Sequence, residues 1–170
     1  MIFTSSVYET AWVTRLLKAL NIGFVSPPAN ASEADLATCA TKLRSRECHF
    51  IVSEDRWSWV CCPGCPWPRV DRVINFCFPT HLSRERYIKR AAYLSGVDGT
   101  PAVMTLLIPK DLEGFRRLQK EVDVPWEDYI PAKEWYMPFK EHVEEAKRKD
   151  PLLKVPYLTI QVARENKPGQ

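Results

Sequence analysis

Short apolar runs of strand length recur along the first two thirds of the chain, and segments with apolar residues at helical spacing separate them. The predicted strands cover residues 2–4, 22–25, 49–53, 70–76 and 102–108. Between and after them, the three- and four-residue spacing of apolar positions predicts helices over residues 7–20, 32–43, 83–94 and 109–122. Strands that alternate with helices of about a dozen residues are typical of βαβ units, so we predict a three-layer α/β domain with a mainly parallel sheet.

The pattern loosens after residue 122. One further helical stretch is indicated around residues 139–149, and an apolar run follows at residues 155–162. We therefore divide the chain into a domain at 1–122 and a C-terminal extension at 123–170, which packs on the domain or on a partner. A length of 170 residues is ordinary for one domain and a short extension.

Composition and charge narrow the class of protein. The chain is 45% hydrophobic and 26% charged, a globular profile that argues against disorder. Its net charge of +3 is too small to indicate a strongly basic nucleic-acid clamp. No apolar run approaches the ~18 residues of a membrane span, so we predict no membrane contact.

Six cysteines raise the question of the redox compartment. Nothing at the start of the sequence resembles a secretory signal, so we predict reduced thiols and an intracellular protein. Residues 1–20 carry Ser, Thr and two basic residues on a helical pattern, which faintly suggests a mitochondrial presequence. The same residues also fit the first βα unit of the fold, so the mitochondrial matrix is a hypothesis, with cytosol and nucleus left open.

Residues 54–69 combine tryptophans, prolines and cysteines. Trp57, Trp59 and Trp67, with Trp126 and Trp135 of the extension, are candidate interface residues, because Trp supplies large contact area. A loop packed on itself would explain the same composition. Cys62 and Cys65 form a C-x-x-C pair, a weak zinc candidate with no second pair at suitable spacing. We predict neither a metal nor a cofactor.

Several segments, in order, resemble the second RecA-like domain of DEAD-box RNA helicases. Residues 2–6 (IFTSS) are similar to its opening strand motif, and residues 43–48 (LRSREC) to its F-R-x-G-x-x segment. The best match is VDRVINFCFPT at residues 70–80, close to V-D-x-V-I-N-F-D-x-P-x. YIKR at 87–90 stands where that family has Y-I-H-R, and residues 99–112 resemble the strand and helix that follow. The resemblance implies a RecA-like fold for residues 1–122.

Departures from the family pattern shape the functional hypothesis. The family's motif VI, H-R-x-G-R-x-G-R, keeps only Arg90 here, and Tyr93 and Gly96 stand where its later arginines would reach phosphate. Glu54 replaces the threonine that opens motif V. Nothing in the chain resembles the phosphate loop or the D-E-A-D carboxylates of the first RecA-like domain. The resemblance, with these departures, implies a pseudo-helicase that is not an enzyme.

The hypothesis for function is therefore a structural or assembly component of a large ribonucleoprotein, with the mitochondrial ribosome as the specific guess. Its partners would be neighbouring proteins and RNA, whose phosphates it would contact without regard to base sequence. We expect no small-molecule substrate. The candidate phosphate-binding residues are Lys42, Arg44, Arg46, Arg84, Arg86, Lys89 and Arg90. Two alternatives stay open: a protein-interaction module without RNA contact, and half of a two-chain ATP-dependent helicase completed in trans.

Overall fold

The computed structural model describes residues 1–28, 30–54, 69–76, 78, 84–94, 102–107, 111–122, 133–150 and 153, with side chains of the last helix described from residue 140. Five strands and five helices are seen in these ranges. In chain order they are β1 (Ile2–Thr4), α1 (Val7–Ala19), β2 (Phe24–Val25), α2 (Glu33–Arg44), β3 (Phe50–Glu54), β4 (Arg72–Asn75), α3 (Arg84–Ala91), β5 (Ala102–Thr105), α4 (Leu112–Val122) and α5 (Lys133–Lys149).

The five strands form one sheet in the order β2-β3-β1-β4-β5, and every pair in it is parallel. β1 lies at the centre, where Ile2 is in register with Val52 of β3 on one side and Ile74 of β4 on the other. The predicted α/β class with a parallel sheet is confirmed.

Alternating side chains along the strands build two cores, one on each face of the sheet. Phe3 and Ile51 point to one face, and their neighbours Ile2 and Val52 point to the other. The first face packs against Tyr87 of α3 and against α4, and the second face packs against α1. The α1 residues in that second core are Val13 and Leu17. The sheet is thus covered by helices on both faces, as expected for a parallel sheet.

The start of α2, predicted at residue 32, is fixed by a cap. The Ser32 hydroxyl accepts from the Asp35 backbone N–H at 3.2 Å, and an Asp35 carboxylate oxygen accepts from the Ser32 backbone N–H at 2.8 Å. These reciprocal bonds form a capping box. The bonds from Ser32 hold the pKa of Asp35 below its ordinary value.

The C-terminal ends of α1 and α2 each require a left-handed residue. Asn21 has φ of 54° and Arg46 has φ of 59°. Backbone bonds from Arg46 N to Leu43 O (3.2 Å) and from Cys48 N to Lys42 O (3.3 Å) close the end of α2 around this conformation. A side chain in that region costs about 1–2 kcal/mol, although Asn tolerates it better than most residues. Arg46 stands where the resembling F-R-x-G-x-x segment has glycine.

Some element bounds differ from the prediction. β4 begins at Arg72 because Val70 instead forms an isolated bridge with Leu94 beyond α3. The last helix begins at Lys133, six residues earlier than predicted, and it contacts α1. An ion pair of 3.2 Å between Arg15 and Asp150 lies at that contact. The proposed division at residue 122 thus has a helix beyond it that contacts the sheet domain.

Candidate functional site

The carboxyl ends of β1 and β4 form a topological switch point. The chain leaves β1 toward β2 on one side of the sheet and leaves β4 toward β5 on the other side. In open parallel sheets, ligands bind in the crevice outside the strand ends at such a point. Polar residues end three strands here: Thr4, Asn75 and Thr105, all buried. This carboxyl edge is therefore the first candidate site.

Hydroxyl groups fix the junction between β1 and α1 at this edge. The Thr10 hydroxyl lies 3.1 Å from the Ser6 carbonyl oxygen, and the Thr4 hydroxyl lies 3.4 Å from the Ser53 carbonyl oxygen. The two hydroxyl oxygens are 2.6 Å apart and share a hydrogen bond. Ser6 caps the helix by accepting from the Glu9 backbone N–H at 3.3 Å. The first turn of α1 then exposes Tyr8, 83% accessible, and Val7, 50% accessible. The carboxyl edge thus adjoins an exposed apolar pair.

Arg90 is buried within the domain. Its side chain is fully inaccessible, and its Nη1 donates to Asn75 Oδ1 at 2.6 Å. Asn75 Nδ2 in turn donates to Thr105 Oγ1 at 3.1 Å, and the guanidinium carbon lies 5.0 Å from the centre of the Phe3 ring. The expectation that Arg90 shares an exposed phosphate-binding face has to be corrected, because this network holds the guanidinium between α3 and the sheet.

Tyr93, at one of the two positions where the family pattern has a phosphate-reaching arginine, is also part of the core. It is 4% accessible, and its ring lies 5.8 Å from that of Phe3. Its carbonyl oxygen accepts from the Val70 backbone N–H at 2.9 Å. Gly96, the other such position, lies outside the described residues.

The exposed face of α3 carries three of the predicted phosphate-binding residues, Arg84, Arg86 and Lys89. Lys89 Nζ lies 2.7 Å from a Glu85 carboxylate oxygen, and this contact lowers the pKa of Glu85. α4 contacts α3 and adds exposed cations that the sequence analysis did not single out: Arg116, Arg117 and Lys120. Their spacing on the polar side of an amphipathic helix is a signal that could have identified them.

Lys42, Arg44 and Arg46 lie elsewhere, at the amino edge of the sheet. Lys42 pairs with Glu47 at 3.6 Å, while Arg44 and Arg46 line a cavity of about 530 Å³ beside the first residues of β1, β3 and β4. The polar residues that line this cavity are Arg44, Arg46, His49, Arg69, Asp71 and Arg72. The structure therefore separates the predicted phosphate-binding residues into two groups, and it adds Arg69 and Arg72 to the second. Sheet pairing brings residues 44–49 and 69–72 together across at least twenty positions, so no local pattern in the sequence predicts this cavity.

The remaining predicted site residues fall mostly outside the described part of the chain. These are Trp57, Trp59, Trp67 and Trp126 of the interface set and the C-x-x-C pair Cys62 and Cys65; Trp135 lies on α5. Within the described residues, no cluster of His, Cys, Asp or Glu is arranged to hold a metal ion. Burial raises the pKa of the Cys39 and Cys48 thiols.

Comparison with known proteins connects this architecture to a family. No family model matches the chain. The ATP-dependent rRNA helicase RRP3 of Gibberella zeae is 28% identical over 148 residues, which cover 87% of this chain and 29% of that protein. The RRP3 helicase of Pyricularia oryzae is 30% identical over 152 residues, which cover 87% of this chain and 27% of that protein. The chain is homologous to the C-terminal part of DEAD-box RNA helicases.

Solved structures agree on the fold. The C-terminal domain of the DEAD-box protein Dbp5 superimposes with a TM-score of 0.60 at 14% identity, over 71% of this chain and 67% of that one. Domain 2 of the DEAD-box helicase Mss116p, bound to an RNA duplex, gives a TM-score of 0.61 at 18% identity, over 91% and 57% of the two chains. The S. cerevisiae Dbp5 C-terminal domain bound to Gle1 and IP6 gives 0.60 at 16% identity, over 91% and 82%. The RecA-like fold implied by the sequence resemblance is confirmed.

The prediction that the protein is not an enzyme is wrong. The relatives are named ATP-dependent rRNA helicases, and this chain spans less than a third of their length. The phosphate loop and the D-E-A-D carboxylates belong to the first RecA-like domain, which the matched part does not include. Their absence from these 170 residues therefore carries no information about catalysis. In the described parts of the chain, no helix is both long and apolar enough to cross a membrane.

Proposed function

We propose that this chain is the second RecA-like half of an ATP-dependent RNA helicase that acts on ribosomal RNA. The observation that carries the proposal is homology to rRNA helicases along 87% of the chain, on a RecA-like sheet. In this proposal the first RecA-like half faces the carboxyl edge, and the cleft between the halves opens and closes there. The exposed Val7 and Tyr8 support this orientation, because a second domain would cover them.

The contribution of this half to RNA binding rests on the exposed cations of α3. Arg84, Arg86 and Lys89 are accessible, whereas Arg90 is buried and Glu54 would repel a phosphate at the end of β3. The Mss116p domain of the same fold holds an RNA duplex, which supports an RNA role for this chain. Contacts from α3 would be directed to phosphate and indifferent to base sequence.

A chimeric helicase tests the enzymatic part of the proposal. The N-terminal part of the Gibberella zeae relative is fused to this chain, and RNA-stimulated ATP hydrolysis and duplex unwinding are measured. We expect stimulation above that of the N-terminal part alone, with the intact relative as the positive control. A folded chimera that binds RNA but hydrolyses no more ATP than the N-terminal part alone would refute a helicase role.

The RNA contact is tested by changing Arg84, Arg86 and Lys89 together to Gln. If each side chain neutralises one phosphate, the slope of log affinity against log salt for single-stranded RNA becomes less steep by about 2. The matched control changes Lys140, Arg148 and Lys149 of α5 to Gln, because it removes the same charge and also breaks one ion pair, Lys149–Glu145 at 2.6 Å. Equal slopes for the two triple variants would contradict a specific role of α3.

The proposal also covers the RNA substrate and the particle in which the protein acts. The names of the relatives support ribosomal RNA as the substrate. We propose a large ribonucleoprotein particle that contains this RNA as the place of action. Gradient sedimentation of the tagged protein, with and without ribonuclease, tests it: migration with a heavy particle that collapses after ribonuclease is expected. Migration as a small species in both samples would favour the protein-interaction module. The mitochondrial location stays a prediction, and fractionation of the same cells would test it.

A further inference from the structure

The cavity at the amino edge of the sheet carries a concentration of positive charge that the helicase proposal does not use. It lies beside the first residues of β1, β3 and β4, on the opposite edge from the switch point. Its volume of about 530 Å³ falls within the range of small-molecule sites, ~300–1,000 Å³. Position and size therefore suit a compact ligand that is separate from a cleft at the carboxyl edge.

The charged lining of the cavity favours an anion. Four arginines and His49 line it against one carboxylate, Asp71. Arg69 is oriented by the protein itself, because its guanidinium donates to the carbonyl oxygens of Ala92 and Leu94. Arg44 and Arg72 also make contacts within the protein. Guanidinium groups around a concave surface, one of them oriented by backbone carbonyls, suit the planar, bidentate recognition of phosphate.

Arg46 provides a second, independent observation. The bonds that close α2 require φ of 59° at this position, where glycine is the residue without strain. The chain instead has an exposed arginine there, at the wall of a cavity that is already basic. Residues held in strained backbone conformations concentrate at functional sites, so an observed outlier of this kind points to a functional reason for the side chain.

We propose that this cavity binds a compact group of phosphates, with Arg46, after α2, and Arg72, at the start of β4, as ligand-binding residues. The phosphates come either from a free oligophosphate or from the backbone of an RNA. The site is independent of the proposed function, since neither residue lies at the switch point or on α3. Loss of helicase activity in the chimera would therefore leave this proposal standing.

Calorimetric titration of the full chain with tripolyphosphate tests the site. We expect saturable binding, weakened about tenfold by Arg46→Gly and by Arg72→Gln, since each removes a charge-assisted contact. Two controls are available in the chain. Asn21→Gly relieves the other left-handed position away from the cavity, and Arg117→Gln removes one exposed positive charge from α4. Both should bind as the unmodified protein does.

Stability and competition complete the test. Arg46→Gly should keep or raise the urea midpoint, as Asn21→Gly should, so that weaker binding cannot be attributed to unfolding. A lower midpoint would overturn the strain argument.

Single-stranded RNA that displaces tripolyphosphate identifies the RNA backbone as the source, and RNA that leaves it bound identifies a free oligophosphate. Displacement by sulfate at equal ionic strength, or equal weakening by Arg117→Gln, would overturn the proposal.

Discussion

The buried Arg90–Asn75 pair offers the sharpest test of the packing between α3 and the sheet. Replacing Arg90 with Met removes the 2.6 Å hydrogen bond to Asn75 Oδ1 and the cation above the Phe3 ring, but retains an apolar side chain of similar length. A hydrogen bond from a charged donor is worth about 1.5–3 kcal/mol, and a desolvated cation–π contact is worth about 2 kcal/mol. Part of this is recovered by burying the Met side chain. We expect Arg90→Met to lower the free energy of unfolding by about 3 kcal/mol.

Replacing Asn75, the other partner of the pair, should lower the free energy of unfolding by at least as much. Asn75→Leu removes the amide acceptor of the fully buried Arg90 guanidinium, and removing one partner of a buried charged interaction costs about 3–5 kcal/mol. Replacing both partners removes the unsatisfied groups together, so the double variant should lose less than the sum of the single variants. We expect a coupling free energy of about 2 kcal/mol between the two positions.

Urea denaturation followed by far-ultraviolet circular dichroism measures all four proteins of the cycle. For a chain of this length, a loss of about 3 kcal/mol also corresponds to a melting temperature lower by about 6–12 °C. The reasoning is refuted if the single changes add within about 0.5 kcal/mol, because distant and independent sites behave in that way.

Three further changes probe other parts of the fold, and urea denaturation reads out each of them. Ser32→Ala removes half of the capping box and should cost about 1 kcal/mol at neutral pH. The pKa of Asp35 is lowered in the folded state. Its ionised carboxylate therefore stabilises the fold fully at pH values above the ordinary pKa of Asp, and this stabilisation is lost as the pH falls through the lowered pKa. The difference in free energy of unfolding between the unmodified protein and Ser32→Ala should therefore be smaller in acid. Gly114→Ala would place a Cβ 2.9 Å from the Phe78 ring, so it should cost about 1–2 kcal/mol although alanine favours helices; a gain would contradict this packing. Ile51→Ala, at a fully buried position of β3, should cost about 2–5 kcal/mol, and a loss below 1 kcal/mol would show that the site collapses around the change.

Local signals in the sequence were sufficient for most of the fold. The apolar runs and helical spacing predicted every described strand and helix, although α5 begins six residues earlier than expected, because each element follows from side-chain periodicity. Strand ends were less predictable: Val70 continues the apolar run, yet it pairs with Leu94 rather than extending β4.

The candidate sites were less predictable because charge alone does not fix exposure. The sequence pattern placed Arg90 on a basic helix face. In the structure, however, its guanidinium is buried and donates to the side-chain amide of Asn75, fifteen positions earlier. Arg69 and Arg72 joined Arg44 and Arg46 only through the pairing of β1 with both β3 and β4. The conclusion about catalysis failed for a different reason, since part of it rested on the phosphate loop and the D-E-A-D carboxylates, which belong to another domain than this one.

The central place of β1 has a consequence for how the domain is made. β1 is the first of the five strands to be synthesised, yet its partners β3 and β4 lie about 50 and about 70 positions further along the chain. At ~5–20 residues per second, both edges of β1 stay without their native partners for several seconds of translation. Its pairing with β4 also closes the longest loop among the described strand pairs, so chain entropy opposes this step most strongly. We therefore expect the nascent domain to fold late, once β4 has left the ribosome, and to depend until then on chaperones that cover an unpaired apolar strand.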